Sequence, residues 1–245
     1  MPWLAPQNQN DARSETSSLV LSTENIFSGE VMKQTTIPIH PEGYPFILFS
    51  GFATLIFALI DLCIPALGAL LLTGFSTYFF RDPSRVQPEQ EGAIICPADG
   101  KVIVVNETED TRFLDGKVKK ISIFMNVFNV HVNRIPISGT VSSVTFQPGR
   151  FYAADKDKAV LHNEYAAVTV NTPSQHQYCV VQIAGLIARR IVCQVTKNDP
   201  VTAGTRYGLI RFGSRVDLYL PLEAEISVKV GDKVKAGESL LGILA

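Results

Sequence analysis

The sequence predicts a mainly β domain (β-rich α+β) entered through an apolar helical hairpin, and three observations carry that expectation. From Arg81 onward, short β-rich runs alternate with turn residues. Residues 45–80 hold a single charge, Asp61, and residues 1–40 are rich in Ser, Thr, Asn and Gln. At 245 residues, 46% of them apolar, the chain is long enough for one core plus an appendage.

Residues 1–40 show no basic stretch leading into an apolar run, so a polar, disordered tail is expected rather than a secretory signal. Residues 41–80 read as a membrane-associated helical hairpin. The stretch 45–60 is uncharged, as is 62–80, and at about 1.5 Å per residue the second nearly crosses a hydrocarbon core. Asp61 and Pro65 between them favour two helices and a turn over one long span. Both runs are apolar on all sides rather than striped, which favours lipid over a buried core pair, either as a re-entrant hairpin or as true spans. Arg81 and Arg85 follow at once, as expected on a cytoplasmic face.

The remainder, 81–245, forms one domain. Strands are expected at 102–105, 120–124, 140–146, 165–170, 178–183, 191–195, 216–220 and 226–228, with a short helix or loop at 152–162. Turns are expected at Pro97-Ala98-Asp99-Gly100 and Gly231-Asp232. Lys and Arg number 22 against 23 Asp and Glu, with no basic block, which argues against nucleic acid as a partner. The four cysteines and four histidines are dispersed, without the spacing of a metal or redox site, and isolated thiols are expected.

One segment suggests chemistry. In Arg211-Phe212-Gly213-Ser214-Arg215-Val216-Asp217, a Gly-Ser pair lies between apolar runs. A glycine before the serine permits a tight turn that brings the hydroxyl near the preceding carbonyl, although the same pair also suits an ordinary turn. This segment is the last of several that occur in order: Phe80-Arg81-Asp82-Pro83-Ser84-Arg85, Pro97-Ala98-Asp99-Gly100-Lys101-Val102, Ile123-Phe124-Met125-Asn126 with Asn129-Val130-His131-Val132-Asn133-Arg134, Pro148-Gly149-Arg150-Phe151, Asn163-Glu164, and the run from Ile183-Ala184-Gly185 to Ile191. Together they resemble the phosphatidylserine decarboxylases, in their short, archaeal and bacterial form.

The resemblance implies a proenzyme that cuts itself after Gly213 into a β chain (1–213) and an α chain (214–245). Ser214 would attack the Gly213 carbonyl, and an ester and then dehydroalanine would lead to a pyruvoyl group at the former Ser214. That group would form a Schiff base with the substrate amine and serve as electron sink, with neither metal nor pyridoxal phosphate. The implied reaction is phosphatidylserine to phosphatidylethanolamine and CO2 in phospholipid biosynthesis, at the cytoplasmic face of the inner membrane. The two chains would stay associated, and a homo-oligomer is possible. Asp99 and His131 are the implied polar partners of Ser214, a carboxylate orienting an imidazole that takes the serine proton. Longer members carry two histidines three residues apart; this chain has His131 and then Arg134, so either His131 serves both steps or another group is the base. Asn163 and Glu164 would shape the headgroup pocket, and Arg211 and Arg215 would meet a lipid phosphate.

Two other readings stand beside this one. The same chemistry would suit an ether-linked archaetidylserine. The stretch 228–240, with its two-turn alternation, looks like half of a biotinyl or lipoyl domain, which suggests a non-enzymatic carrier or structural relative; yet Met-Lys-Met, the usual carrier site, is missing.

Overall fold

A computed structural model describes residues 38–149, 163–185, 190–211 and 213–244. The expected helix or loop at 152–162 and nearly all of the 1–40 tail lie outside the described residues. Residues 38–40 pair with the end of the hairpin: Ile39 bridges Arg81, and the His40 N–H donates to the Phe80 carbonyl at 2.8 Å.

After a 3-10 turn at Pro41–Gly43 come α1 (Tyr44–Leu59) and α2 (Cys63–Phe79). The break falls at Asp61, whose φ of 58° no helix accommodates. Pro65 does not break the chain. It lies in the first turn of α2, where its missing N–H leaves no bond unmade. Pro41–Leu59 spans 19 residues with mean hydropathy 1.5, and only 11% is buried. Side chains such as Phe49 (76%) and Ile64 (86%) face outward. Between the helices Thr73 Oγ1 donates to Ser50 Oγ at 2.9 Å, and Ser50 Oγ donates to the Phe46 carbonyl at 2.7 Å. Such hydroxyls hold helices together where apolar packing gives no preference over lipid.

The strands are β1 (Ala93–Ile95), β2 (Gly100–Asp110), β3 (Gly116–Met125), β4 (Val132–Arg134), β5 (Gly139–Gln147), β6 (Tyr165–Asn171), β7 (Gln177–Ala184), β8 (Ile191–Cys193), β9 (Pro200–Val201), β10 (Arg206–Ile210), β11 (Ser214–Leu220), β12 (Glu225–Ile226), β13 (Lys233–Val234) and β14 (Leu240–Ile243). The main sheet has the order β13-β2-β3-β11-β7-β6-β5-β9, with small sheets β4-β10-β8 and β1-β14-β12. This is the mainly β class that the alternation of apolar and polar residues predicts.

Strand β11 lies inside the main sheet and is buried along its whole length. Its Val216, Leu218 and Leu220 join the principal core with Ile121, Ile123, Val168 and Val180, while Tyr219 faces a smaller cluster with Val118 and Val181. The 228–240 stretch does not stand apart as a carrier hairpin. Its β13 pairs with β2, and β14 pairs with β1. The last turn of α2 is anchored too, with Phe79 and Phe80 buried against Val130, Val132 and Leu209.

Candidate active site

Ser214 opens β11 directly opposite Met125 of β3 and Ala184 of β7, and it is fully buried. Its Oγ donates to Met125 Sδ at 3.4 Å, a weak acceptor that leaves the oxygen lone pairs uncommitted. Gly213 has φ +60°, in the left-handed region that glycine enters without cost, and no atom of the described residues lies within 4 Å of where a Cβ would stand.

Two polar side chains share the buried face with Ser214. Gln182 Nε2 donates to Asn133 Oδ1 at 2.9 Å, and Asn133 Nδ2 reaches Met125 Sδ at 3.8 Å. Gln182 Oε1 is buried and has no partner among the described residues. The neighbouring Gly208 leaves room for them, because a Cβ there would fall 2.8 Å from Gln182 Nε2 and 2.3 Å from the Val192 carbonyl oxygen. Sequence reasoning missed Asn133 and Gln182. The available signal was a carboxamide inside each of two apolar strand runs, Val132-Asn133 and Val181-Gln182-Ile183.

His131 is fully buried, its ring 4.3 Å from that of Phe79 at an interplanar angle of 30°. Nδ1 lies 2.9 Å from the Asn129 carbonyl, so in the neutral ring that nitrogen carries the proton and Nε2 carries the lone pair. Nε2 is buried and has no partner among the described residues. Burial pulls the imidazole pKa from its ordinary 6.5 down to about 4, partly offset by the Asn129 carbonyl. The imidazole is therefore neutral at physiological pH. Its backbone carbonyl accepts from Ile210 N at 3.3 Å, three residues before Gly213.

This shift has a stability consequence. The unfolded chain takes up a proton below pH 6.5, whereas the folded chain does so only near pH 4, so stability is complete above 6.5 and lost as pH falls toward 4. For the uncut Ser214→Ala protein, the His131 contribution to this loss is expected to reach about 3 kcal/mol, measured as the difference in urea stability between it and a Ser214→Ala/His131→Gln protein from pH 7 to pH 4.

Among the described residues Asp99 makes no hydrogen bond to His131. Its Oδ2 accepts from Arg85 Nη2 at 2.9 Å, and Oδ1 accepts from Ala236 N at 2.8 Å, while Arg85 also pairs with Glu238 at 3.1 Å. Asp99 thus ties the 97–100 turn to the strap at residue 85 and to the C-terminal segment. Removing the carboxylate leaves a buried guanidinium with one outlying partner. Asp99→Ala, on the Ser214→Ala background, is expected to lose about 3 kcal/mol in urea unfolding.

Arg134, at the position of the second histidine in longer members, donates to the Gly204 carbonyl at 2.9 Å and the Pro83 carbonyl at 3.1 Å, and pairs with Asp82 at 3.4 Å. It is a structural tie and has no lone pair to offer. Asn163 and Glu164 come to β7, the strand beside β11. Asn163 Nδ2 donates to the Ala184 carbonyl at 2.7 Å, and the Glu164 carbonyl accepts from Ala184 N at 3.0 Å; Ala184 is the residue facing Ser214.

Both flanking arginines already pair with carboxylates. Arg211 pairs with Glu42 at the foot of α1 and lies 5.3 Å from the centre of the Phe46 ring. Arg215 points to the opposite side of β11 from Ser214. It is buried there, with Nε 2.5 Å from Asp217 Oδ1 and Nη2 2.8 Å from Ser122 Oγ, and Lys120 also meets Asp217 at 3.1 Å.

Fold and site define a class: a mainly β chain with an apolar hairpin at its base and a Gly-Ser peptide at the head of an interior strand. A profile of the family described as phosphatidylserine decarboxylase matches residues 72–242. Among curated relatives, the chain is 52% identical over 211 residues to the "Phosphatidylserine decarboxylase proenzyme" of Desulfotalea psychrophila (86% of this chain, 99% of the relative). It is 48% identical over 213 residues to the protein of the same name from Syntrophotalea carbinolica (87% and 100%), and 47% identical over 218 residues to that of Geobacter sulfurreducens (87% and 100%). The chain belongs to the phosphatidylserine decarboxylase family.

Proposed function

We infer that this chain is a self-processing, pyruvoyl-dependent enzyme that converts phosphatidylserine to phosphatidylethanolamine and CO2 at a membrane surface. The observation that carries the reading is Ser214: a buried serine with an uncommitted oxygen, behind a left-handed glycine with open space, in a chain whose relatives are proenzymes by name.

Room beside Gly213 lets its carbonyl carbon become tetrahedral when Ser214 Oγ adds to it. No hydrogen bond joins His131 to Ser214 among the described residues; on this reading His131, neutral and with a lone pair at Nε2, comes within reach of the hydroxyl, takes its proton and returns it to the departing amide nitrogen, leaving an ester. Loss of the α-proton expels the Gly213 carboxylate, and hydrolysis with loss of ammonia leaves a ketone at the new terminus. The surroundings fit a pyruvoyl group with its substrate, because Met125 and Ala184 wall its two sides, and Gln182 Oε1, without a partner among the described residues, can accept from the N–H that a substrate amine brings. Once formed, that group supplies an electrophilic carbonyl that captures the substrate amine and draws off the electron pair freed as CO2 leaves. Asn163 and Glu164, held on Ala184, shape the space where the amine enters.

The helical hairpin supports a bilayer location. An all-round apolar surface of this kind is stable in lipid and costly in water. Arg81 and Arg85 at its base favour the cytoplasmic face of the inner membrane. The α chain of 32 residues would stay in place, since β11 is bonded on both sides to strands of the β chain.

Intact-mass analysis of protein purified with membranes tests the reading. It is expected to show a β chain ending at Gly213 and an α chain beginning with a pyruvoyl group, in a preparation that releases CO2 from phosphatidylserine. An unbroken chain with an ordinary serine and full decarboxylase activity overturns it.

A further inference from the structure

The polar patch beside Ser214 has spare bonding capacity of a definite kind. Gln182 lies diagonally across the β7–β11 pair from Ser214, on the same face, at a separation that a long side chain bridges. Gln182 and Asn133 are both fully buried, where a polar atom left unbonded is destabilising. The bond between them, Gln182 Nε2 to Asn133 Oδ1 at 2.9 Å, fixes what is left over: the Oε1 acceptor of Gln182 and the NH2 donor of Asn133. Among the described residues Oε1 has no partner, and Asn133 Nδ2 has Met125 Sδ at 3.8 Å, a weak acceptor. The same sulfur receives the Ser214 hydroxyl at 3.4 Å, so the spare donor and the reacting serine flank one atom.

One acceptor and one donor, buried side by side next to Ser214, match a ligand that brings an N–H and an acceptor oxygen on neighbouring groups. The amine and carboxylate of an α-amino acid are such a pair, attached to one carbon. The lack of charge suits the carboxylate. On the Ser214 face of β3, β11 and β7 the nearest residues are Met125, Ile123, Val216, Ala184 and Gln182, none of them charged, and Arg215 points to the other side. A cation bound to a carboxylate holds its charge in place and opposes departure as CO2, whereas a neutral amide orients the group and loses little when that charge moves off. Resting on the function inferred above, we propose that Asn133 and Gln182 read the amino-acid end of the lipid headgroup, Gln182 Oε1 accepting an N–H of the substrate amine and Asn133 Nδ2 donating to its carboxylate.

The test uses deacylated headgroups and full-chain protein treated with borohydride, which reduces a terminal ketone to an alcohol that no amine attacks and leaves an uncut chain unaltered. By isothermal titration the parent is expected to bind glycerophosphoserine more tightly than glycerophosphoethanolamine, which lacks the carboxylate, and glycerophosphocholine, which has no N–H, most weakly. Asn133→Leu is expected to weaken glycerophosphoserine about tenfold or more and glycerophosphoethanolamine by no more than about threefold. Gln182→Met is expected to weaken both of these about tenfold or more and to leave glycerophosphocholine as it was. A pair that serves only as a core strut predicts the same loss for all three headgroups. That result, unchanged glycerophosphoserine binding in either variant, or no binding by the parent overturns the proposal. The double variant Asn133→Leu/Gln182→Met replaces the pair with apolar side chains of similar volume. On the Ser214→Ala background its urea midpoint is expected to equal or exceed that of Ser214→Ala alone, and a midpoint well below it marks a strut and also overturns the proposal. Should the parent prove uncut or inert toward phosphatidylserine, the inferred function fails, while the headgroup comparison, which needs neither cleavage nor turnover, still decides what the pair binds.

Discussion

Ser214→Ala protein is expected to run as one uncut chain of 26.8 kDa and to release no CO2 from phosphatidylserine. A hydroxyl held next to its own peptide carbonyl acts at an effective molarity of about 10⁵–10⁸ M, and no solvent nucleophile replaces that in a buried strand. The fold should barely notice the change. Among the described residues Ser214 Oγ has Met125 Sδ as its one acceptor, so the cost in stability is expected to stay within about 1 kcal/mol in urea unfolding. This combination distinguishes lost chemistry from lost structure. A Ser214→Ala chain that still divides at residue 213, or still decarboxylates, removes the serine from the reaction.

His131→Gln is expected to slow maturation about 10²–10³-fold, followed as the half-time for appearance of the 32-residue fragment. Glutamine retains a polar tip but cannot take a proton. The parent's maturation rate should hold its plateau well below pH 6.5 and fall only near pH 4, because burial keeps the imidazole neutral over that interval. A merely structural imidazole predicts neither the pH position nor the loss in a stably folded variant. If maturation of His131→Gln matches the parent, the base lies elsewhere.

The longer elements were legible in the sequence because their patterns repeat over enough residues to register. Strands β2, β3, β5, β6, β7 and β11 and both helices fall where the apolar runs predict them. Strands β1, β4, β9 and β13, of two or three residues, carry no period at all and exist only because a partner strand pairs with them. β10 was hidden by Gly208, a residue that argues against a strand yet is required where Val192 and Gln182 approach. At the site, the order of motifs pointed to Gly213, Ser214 and His131. It did not reveal the partners of Asp99 and Arg134, which come from residues 82–85, 204 and 236–238 and have no sequence proximity to either. That Arg215 faces away from Ser214 follows from strand alternation once both residues are placed in β11, a boundary that the apolar run starting at Val216 does not mark.

On the function inferred above, the peptide to be cut lies at the head of an interior strand, and maturation would change what denaturation means for this molecule. An uncut chain that unfolds can regain its sheet by itself, at a rate independent of dilution. Once the bond is gone, the short fragment drifts away from the long one on unfolding, and recovery requires the two to meet again, so it slows with dilution and competes with aggregation. Heating and cooling should therefore be reversible for the precursor and one-way for the mature enzyme, even where their folded coordinates are the same.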